Sequence, residues 1–344
     1  MIKYRSFPRA LLLVLVLLMM LSSTALAEKG GPGTSTGTGQ VFFPNPVAQL
    51  QDQSLTDQKD ANYPALQPAY KIVTLTNLDG SGYLRGDWAN IRGETSTPAF
   101  SETNTFIYTR DDDRFEQVMA YYWVTEAQKY IQSLGFGSTL RPVNMESQDI
   151  RINQYGIDNS YSWDKHDVLR FGKGGVDDAE DAEVILHEYG HAIQDSQMTP
   201  FGFGGSEEAG AIGEGFGDYF AVTVTNVIAP TPDPACVADW DSVSYTSTVP
   251  HCLRRVDQNL HYPEDMNGRV HHDGQIWSRA LWDIRSALGH VKADTIILEA
   301  QFQFAPDTSM PAAAQATVEA AQSLYGTTEA NAVLAAFQAR GILP

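Results

Sequence analysis

The chain has 344 residues, 43% of them hydrophobic, and a formal net charge of -19. This length allows one large or two moderate domains with a sizeable core, and the composition is ordinary for a globular protein. A chain this acidic repels the negative charges of nucleic acids and anionic membranes, which argues against both as partners.

The first residues show the three-part pattern of a secretory signal peptide. Three basic residues precede an apolar run over residues 10–21, and Ala25-Leu26-Ala27 supplies small residues for cleavage. A membrane anchor is the alternative, but the run is shorter than the roughly 20 residues of a spanning helix. We therefore predict a signal peptide over residues 1–27 and a secreted, extracellular protein. Cleavage removes three basic and no acidic side chains, so the charge becomes -22.

The region up to residue 110 is predicted to carry strands. Residues 28–39 are rich in Gly, Ser and Thr and predict a flexible leader. In the lead-in region 40–110, extended runs between Ile72 and Ile91 flank the turn signal Asp79-Gly80-Ser81-Gly82. We expect two strands joined by a turn.

Two further regions follow. Residues 111–200 are interpreted as an N-terminal catalytic lobe that begins with an amphipathic helix ending near Gly135. Short strands are expected near Ile150 and over Val168–Phe171. Residues 201–344 are predicted to form a mainly helical C-terminal lobe.

The segment His187-Glu188-Tyr189-Gly190-His191 follows an apolar run with helical spacing. Histidines four residues apart lie on one face of a helix, so both rings can bind one ion. Glu188 lies beside them and can take a proton from a metal-bound water without being a ligand. The pattern predicts a catalytic zinc site with His187 and His191 as ligands and Glu188 as general base.

A catalytic zinc usually has three protein ligands and keeps a fourth position for water. The best third ligand is Glu214, in the Gly-rich segment 210–220. If this segment is a helix, Asp218 shares its face and can accept a hydrogen bond from a ligating histidine; a solvated loop is the alternative. Because each glycine costs a helix about 1 kcal/mol relative to alanine, close packing of two backbones is expected. Weaker candidate ligands are Asp195, Glu207 and Glu208.

Cys236 and Cys252 are the only cysteines of the chain. In an exported protein we expect them to form a disulfide. Two buried free thiols are the alternative. A zinc site at these residues is disfavoured because neither belongs to a CxxC pair.

Three motifs together resemble the thermolysin-like and fungalysin-like gluzincin metallopeptidases. That group carries HExxH, then Glu-x-x-x-Asp, then Val-His-x-x-Gly, and the chain has all three in order, the last as Val270-His271-His272-Asp273-Gly274. The resemblance covers residues 115–290. It implies an α+β, two-lobed fold with the HExxH helix in a strand-containing N-terminal lobe, a helical C-terminal lobe, and an active-site cleft between them. It also implies one catalytic Zn²⁺.

The resemblance suggests further site residues. His271 would stabilise the oxyanion formed when water attacks the peptide carbonyl, with His272 as an adjacent alternative. Asn159 would hold the substrate backbone beside an edge strand, which can pair with an extended peptide. Arg255 would bind the substrate carbonyl next to the cut bond, although two adjacent arginines are equally typical of surface charge.

Two positions depart from the family pattern. Gly205 stands where thermolysin-like enzymes have a tyrosine, and Met266 stands where they have an aspartate before the catalytic histidine. Asp265 and Asp273 are the candidates to orient the histidine instead. Calcium is a second candidate cofactor, since residues 111–113 and 177–181 supply carboxylates, but acidic helix starts account for both clusters.

The sequence therefore predicts a secreted zinc metalloendopeptidase that acts as a monomer on extracellular proteins or peptides. Glu188 is the predicted general base and His271 the predicted oxyanion stabiliser. The rival hypothesis is a secreted binding or adhesion protein with an inactive zinc site. The intact Glu188 disfavours it, because a structural zinc site needs no base and usually closes with a fourth protein ligand.

Overall fold

The computed structural model describes residues 35–94, 97–197 and 205–344. The predicted signal peptide lies outside the described residues. Within the described part of the chain, no helix is both long and apolar enough to span a bilayer. The helices are α1 (Pro46–Leu50), α2 (Arg114–Ser133), α3 (Ala182–Gln197), α4 (Glu207–Ile228), α5 (Val270–Leu288), α6 (His290–Gln301), α7 (Met310–Leu324) and α8 (Thr327–Ala339). The strands are β1 (Ser35–Phe42), β2 (Tyr70–Leu78), β3 (Ala89–Ile91), β4 (Thr105–Phe106), β5 (Gln148–Arg151), β6 (Tyr161–Trp163), β7 (Val168–Arg170), β8 (Cys236–Val237) and β9 (Arg254–Arg255). Short 3-10 helices lie at Pro64–Ala69, Asp164–His166, Asp178–Glu180 and Asp241–Ser244.

The first sheet has the order β2-β1-β4. Its central strand contains residues 35–39, which the sequence had assigned to a flexible leader, so the described end of that prediction is wrong. The glycines here serve close packing: a Cβ on Gly37 would lie 2.4 Å from the carbonyl oxygen of Asn104, and a Cβ on Gly39 would lie 2.7 Å from Val118. The glycines that predicted a flexible leader thus allow β1 to pack closely against neighbouring residues.

The second sheet has the order β3-β5-β7-β6 and is parallel except for β6. The predicted turn after β2 is present, with Gly80 and Gly82 at positive φ. The strands on either side of it pair in different sheets, because β2 pairs with β1 and β3 pairs with β5. β6 is an edge strand of this sheet, and it lies next to the site described below.

Helix α2 occupies the predicted position, but it is not amphipathic in its surroundings. Fifteen of its 20 residues are buried, since it packs against β1, β3 and α3. Two of its buried polar side chains bond to other segments of the chain: Gln117 accepts a hydrogen bond from the Ala99 backbone, and Gln128 donates one to the Val143 carbonyl. The polar residues of α2 predicted an exposed face, but several of them are buried.

The C-terminal half is helical, as predicted. Helix α4 packs between α3 and α5, and helices α5 to α8 pack against one another. Buried Asp294 of α6 accepts hydrogen bonds from Tyr130 of α2 and Tyr219 of α4, which ties the C-terminal helices to the N-terminal part. The hydrophobic core is continuous through both parts.

Candidate active site

Three helices bring the chemically active residues together. Helix α3 carries His187 and His191, α4 carries Glu214, and α5 carries His271. One nitrogen of each α3 histidine and one oxygen of Glu214 all lie within 4.8 Å of one another. Glu214 Oε2 is 3.1 Å from His187 Nε2, and Oε1 is 3.8 Å from His191 Nε2. Two imidazoles and one carboxylate at this spacing form a donor set suited to a single zinc ion.

Glycines set the distances between these helices. A Cβ on Gly217 would lie 2.7 Å from His187 Nδ1, and a Cβ on Gly190 would lie 3.1 Å from the Cα of Gly217. On the opposite face of α4, a Cβ on Gly215 would lie 2.3 Å from the carbonyl oxygen of Gly274 in α5. Packing against α3 and α5 thus stabilises a helix whose intrinsic propensity is poor.

Asp218 connects the histidine pair to an arginine. Its Oδ1 lies 2.9 Å from His187 Nδ1, one turn of α4 after Glu214. Arg254 donates two hydrogen bonds to the same carboxylate, at 2.7 and 2.8 Å. Because a hydrogen bond to one ring nitrogen fixes the tautomer and the orientation of the other, this contact leaves His187 Nε2 facing Glu214.

The electrostatics of the two histidines differ. Burial lowers the pKa of His191 to about 4, so this ring is neutral. Burial opposes the charge on His187 as well, but the hydrogen bonds of Asp218 and Glu214 outweigh it and raise the pKa of His187 to about 10. The difference follows from the partners: Asp218 Oδ1 lies 2.9 Å from His187 Nδ1, whereas Glu214 Oε1 lies 3.8 Å from His191 Nε2.

Glu188 of α3 lies beside His187 and lines the space at the site. Its side chain is 7% exposed, and its Oε2 has no hydrogen-bond partner among the described residues. Burial raises the pKa of Glu188 to about 7. A carboxylate with one free oxygen next to the histidine pair is suited to exchange protons with a reacting group.

Of the two adjacent histidines on α5, His271 is the one at the site. Its Nε2 is 3.3 Å from Glu214 Oε2, and its side chain is 61% exposed. His272 instead lies 3.0 Å from Asp273. Neither proposed orienting residue contacts His271: Asp273 accepts hydrogen bonds from two backbone N–H groups of the preceding loop, and Asp265 accepts one from His261.

Two cavities flank the site. The first, of about 220 Å³, extends towards Asp178, Asp241 and Arg254, and the second, of about 240 Å³, extends towards β6 and His191. The residues that line both are Asn159, Ser160, His187, Glu188 and His271. The space on either side of Glu188 therefore forms a groove, with Asn159 at its wall.

Arg255 does not lie where the sequence interpretation had it. Its guanidinium is bonded to Asp233 and Asp257, and it lines neither cavity, whereas Arg254 lines the first. Successive side chains of a strand point to opposite faces, so only one of two adjacent arginines in β9 can face the groove. The weaker candidate ligands lie outside the histidine–glutamate group; they are Asp195, Glu207 and Glu208.

The predicted disulfide between Cys236 and Cys252 is present, so the alternative of two free thiols is wrong. It joins the first residue of β8 to the segment just before β9 and thereby closes the loop that carries Asp241. In the predicted calcium cluster at residues 177–181, Asp181 accepts hydrogen bonds from three backbone N–H groups. At the other cluster, Asp112 pairs with Arg114.

Sequence reasoning missed three residues of the groove. Arg254 was passed over for its neighbour, because strand alternation indicates that only one of the two arginines faces the groove and does not indicate which one. Asp178 was interpreted as part of an acidic helix start, and Asp241 was not considered. Both are 3% exposed, and nothing local in the sequence predicts burial of an aspartate.

The comparisons with known proteins agree with this geometry. Residues 94–342 match the fungalysin metallopeptidase family (M36). No curated protein matches the chain. The fold is similar to the precursor of protealysin, a metalloproteinase from Serratia proteamaculans, with a TM-score of 0.53 and 18% sequence identity over 74% of this chain and 85% of that chain. The predicted two-lobed α+β fold is thereby confirmed, and the chain belongs to the fungalysin family and is a zinc metallopeptidase.

Proposed function

We propose that this protein is a secreted endopeptidase in which His187, His191 and Glu214 hold one zinc ion and Glu188 is the general base. The observation that carries the proposal is the convergence of these three donors beside a buried carboxylate with one free oxygen. When bound, zinc polarises a carbonyl and lowers the pKa of a water molecule. The donor set fits this ion, because two histidines and one carboxylate are a ligand set of catalytic zinc sites, with the fourth position left for water.

The protein residues have separate roles in this proposal. The Glu188 carboxylate accepts the proton of the attacking water and later delivers it to the leaving amine. His271 donates a hydrogen bond to the oxyanion, which its exposed position at the groove supports. Asp218 orients His187 and is itself held by the two hydrogen bonds from Arg254.

Cleavage within a chain, and not only at its ends, is supported by the shape of the groove. Space continues on both sides of Glu188, and edge strand β6 borders the second cavity through Tyr161 and Ser162. An extended peptide can add to such an edge by main-chain hydrogen bonds while Asn159 binds its backbone. Secretion is supported by the N-terminal sequence pattern and by the disulfide.

The test is hydrolysis of denatured casein by the purified mature protein, with and without a zinc chelator, together with measurement of bound metal. We expect one zinc per chain and internal cleavage that the chelator abolishes and added zinc restores. One bound zinc without chelator-sensitive cleavage would instead support the binding or adhesion role. Release of single terminal residues alone would contradict the endopeptidase assignment.

A further inference from the structure

The first cavity contains buried carboxylates that the proposed chemistry does not use. Asp178 and Asp241 line it, and each residue is only 3% exposed. In each, Oδ1 has no hydrogen-bond partner among the described residues. One oxygen each of Asp158, Asp178 and Asp241 lie within 4.8 Å of one another. We call these three residues with the adjoining cavity the acidic pocket.

No described lysine or arginine neutralises the acidic pocket. Arg254 lines the same cavity, but its guanidinium is bonded to Asp218. The other partners are neutral hydroxyls: Ser160 donates to Asp178, and Tyr245 donates to Asp158. These bonds hold the carboxylates in place. Arg254 offsets only part of the charge of Asp241, and the charge that is left uncompensated is costly at buried positions.

The acidic pocket opens onto the reaction site, since the same cavity is lined by His187, Glu188 and His271. A substrate bound across Glu188 therefore has one side chain next to the scissile bond directed into it. We infer that the acidic pocket selects a lysine or arginine at that substrate position, with Asp178 and Asp241 as the specificity-determining residues. This inference rests on the proposed peptidase function.

The number of carboxylates favours an ammonium or guanidinium group over a metal ion. One oxygen from each of three carboxylates is available in the acidic pocket, and charge-assisted N–H···O bonds are the strong ones. An ammonium group has three donors for them. A calcium ion takes about six to eight oxygens at about 2.4 Å, and the acidic pocket offers three carboxylates.

The pKa shifts of Asp178 and Asp241 are those expected of buried carboxyls to which no cation is bonded. Burial raises the pKa of Asp178 to about 7, and burial together with the nearby Asp178 and Asp158 raises the pKa of Asp241. A basic side chain would remove this repulsion when it enters. An apolar side chain would leave the carboxylates dry and unpaired, which is the kind of mismatch that gives high selectivity.

The test uses the zinc-loaded mature protein and peptides that differ only in the residue on either side of one scissile bond, with Lys, Arg, Leu or Glu at each. Cleavage sites are mapped by mass spectrometry and kcat/KM is measured. We expect Lys and Arg, on one side of the bond, to exceed Leu by about 100-fold. Asp241→Asn and Asp178→Asn should each lower kcat/KM for the Lys peptide by about 100-fold and change the Leu peptide less than about threefold. The exposed Asp111→Asn control should change neither.

Chelator-sensitive cleavage with Leu preferred to Lys in the unmodified protein would overturn the inference and leave the proposed function intact. So would binding of one Ca²⁺ that Asp241→Asn abolishes, without any preference for basic residues. Absence of chelator-sensitive cleavage of every peptide would overturn both proposals. The preference of the unmodified protein in casein digests decides the question even where a variant fails to fold.

Discussion

Two pairs of carboxylates flank Glu188, and they are equally buried but oppositely perturbed. Glu214 and Asp218 are 2% and 1% exposed, and Asp178 and Asp241 are both 3% exposed. Burial raises the pKa of all four, yet histidines and Arg254 reverse this for the first pair and lower its pKa values. In the second pair no cation is bonded to either carboxylate, and Arg254 only weakly opposes the effect of burial on Asp241, so its pKa values rise. Burial alone therefore does not decide the charge of a buried acid; its partners do.

The largest expected effect concerns the carboxylate between the two pairs. Glu188→Gln keeps the shape of the side chain but cannot accept a proton, so casein hydrolysis should fall by about 10³-fold. Metal analysis of the same preparation should still find one zinc per chain, because Glu188 is not a proposed ligand. Loss of the zinc would contradict that assignment.

Arg254, which is bonded to Asp218 of the first pair, can be substituted, and the adjacent Arg255 provides a matched control. Arg254→Gln removes both guanidinium hydrogen bonds from the buried Asp218 carboxylate and should lower the free energy of unfolding by about 3 kcal/mol. Arg255→Gln breaks half-exposed ion pairs and should cost less than about 1 kcal/mol. Urea unfolding curves measure both, and equal losses would show that the buried pair is no more important than the surface one.

Removing the carboxylate itself tests its role in metal binding. Asp218→Asn should weaken zinc affinity by about 10- to 100-fold, because His187 loses a charged partner that orients it. Competition with a chelator of known affinity measures the change. Asp233→Asn removes a carboxylate from Arg255 at the surface and is the matched control, expected to retain the zinc affinity of the unmodified protein.

The second pair predicts a pH dependence of stability. A carboxyl whose pKa is raised to about 7 in the folded protein is destabilising when ionised, so its contribution improves as pH falls from 8 towards 5. Asp178→Asn should therefore gain about 1–2 kcal/mol relative to the unmodified protein at pH 8, and the gain should shrink at pH 5. Effects of zinc loss at low pH are common to both proteins. Parallel stability curves would contradict the raised pKa.

Local spacing explains why part of the site could be predicted. His187 and His191 are one turn apart on a helix, and Glu214 and Asp218 repeat that spacing, so each pair is arranged by helix geometry once the helix forms. The family motifs then relate the two helices to each other, and the family is confirmed. The assignment of Asn159 and the choice of Arg255 had no such local rule, and the structure places Arg254 at the groove instead.

The sequence by itself determined the histidine pair, the glutamate beside it, the glycines of α4 and the order of the motifs, because all of these follow from short-range periodicity. Only the tertiary structure decided which arginine faces the groove, that residues 35–39 form a strand, and that Asp178 and Asp241 meet beside the reaction site. These depend on contacts between residues far apart in the chain, and burial and charge compensation are properties of such contacts.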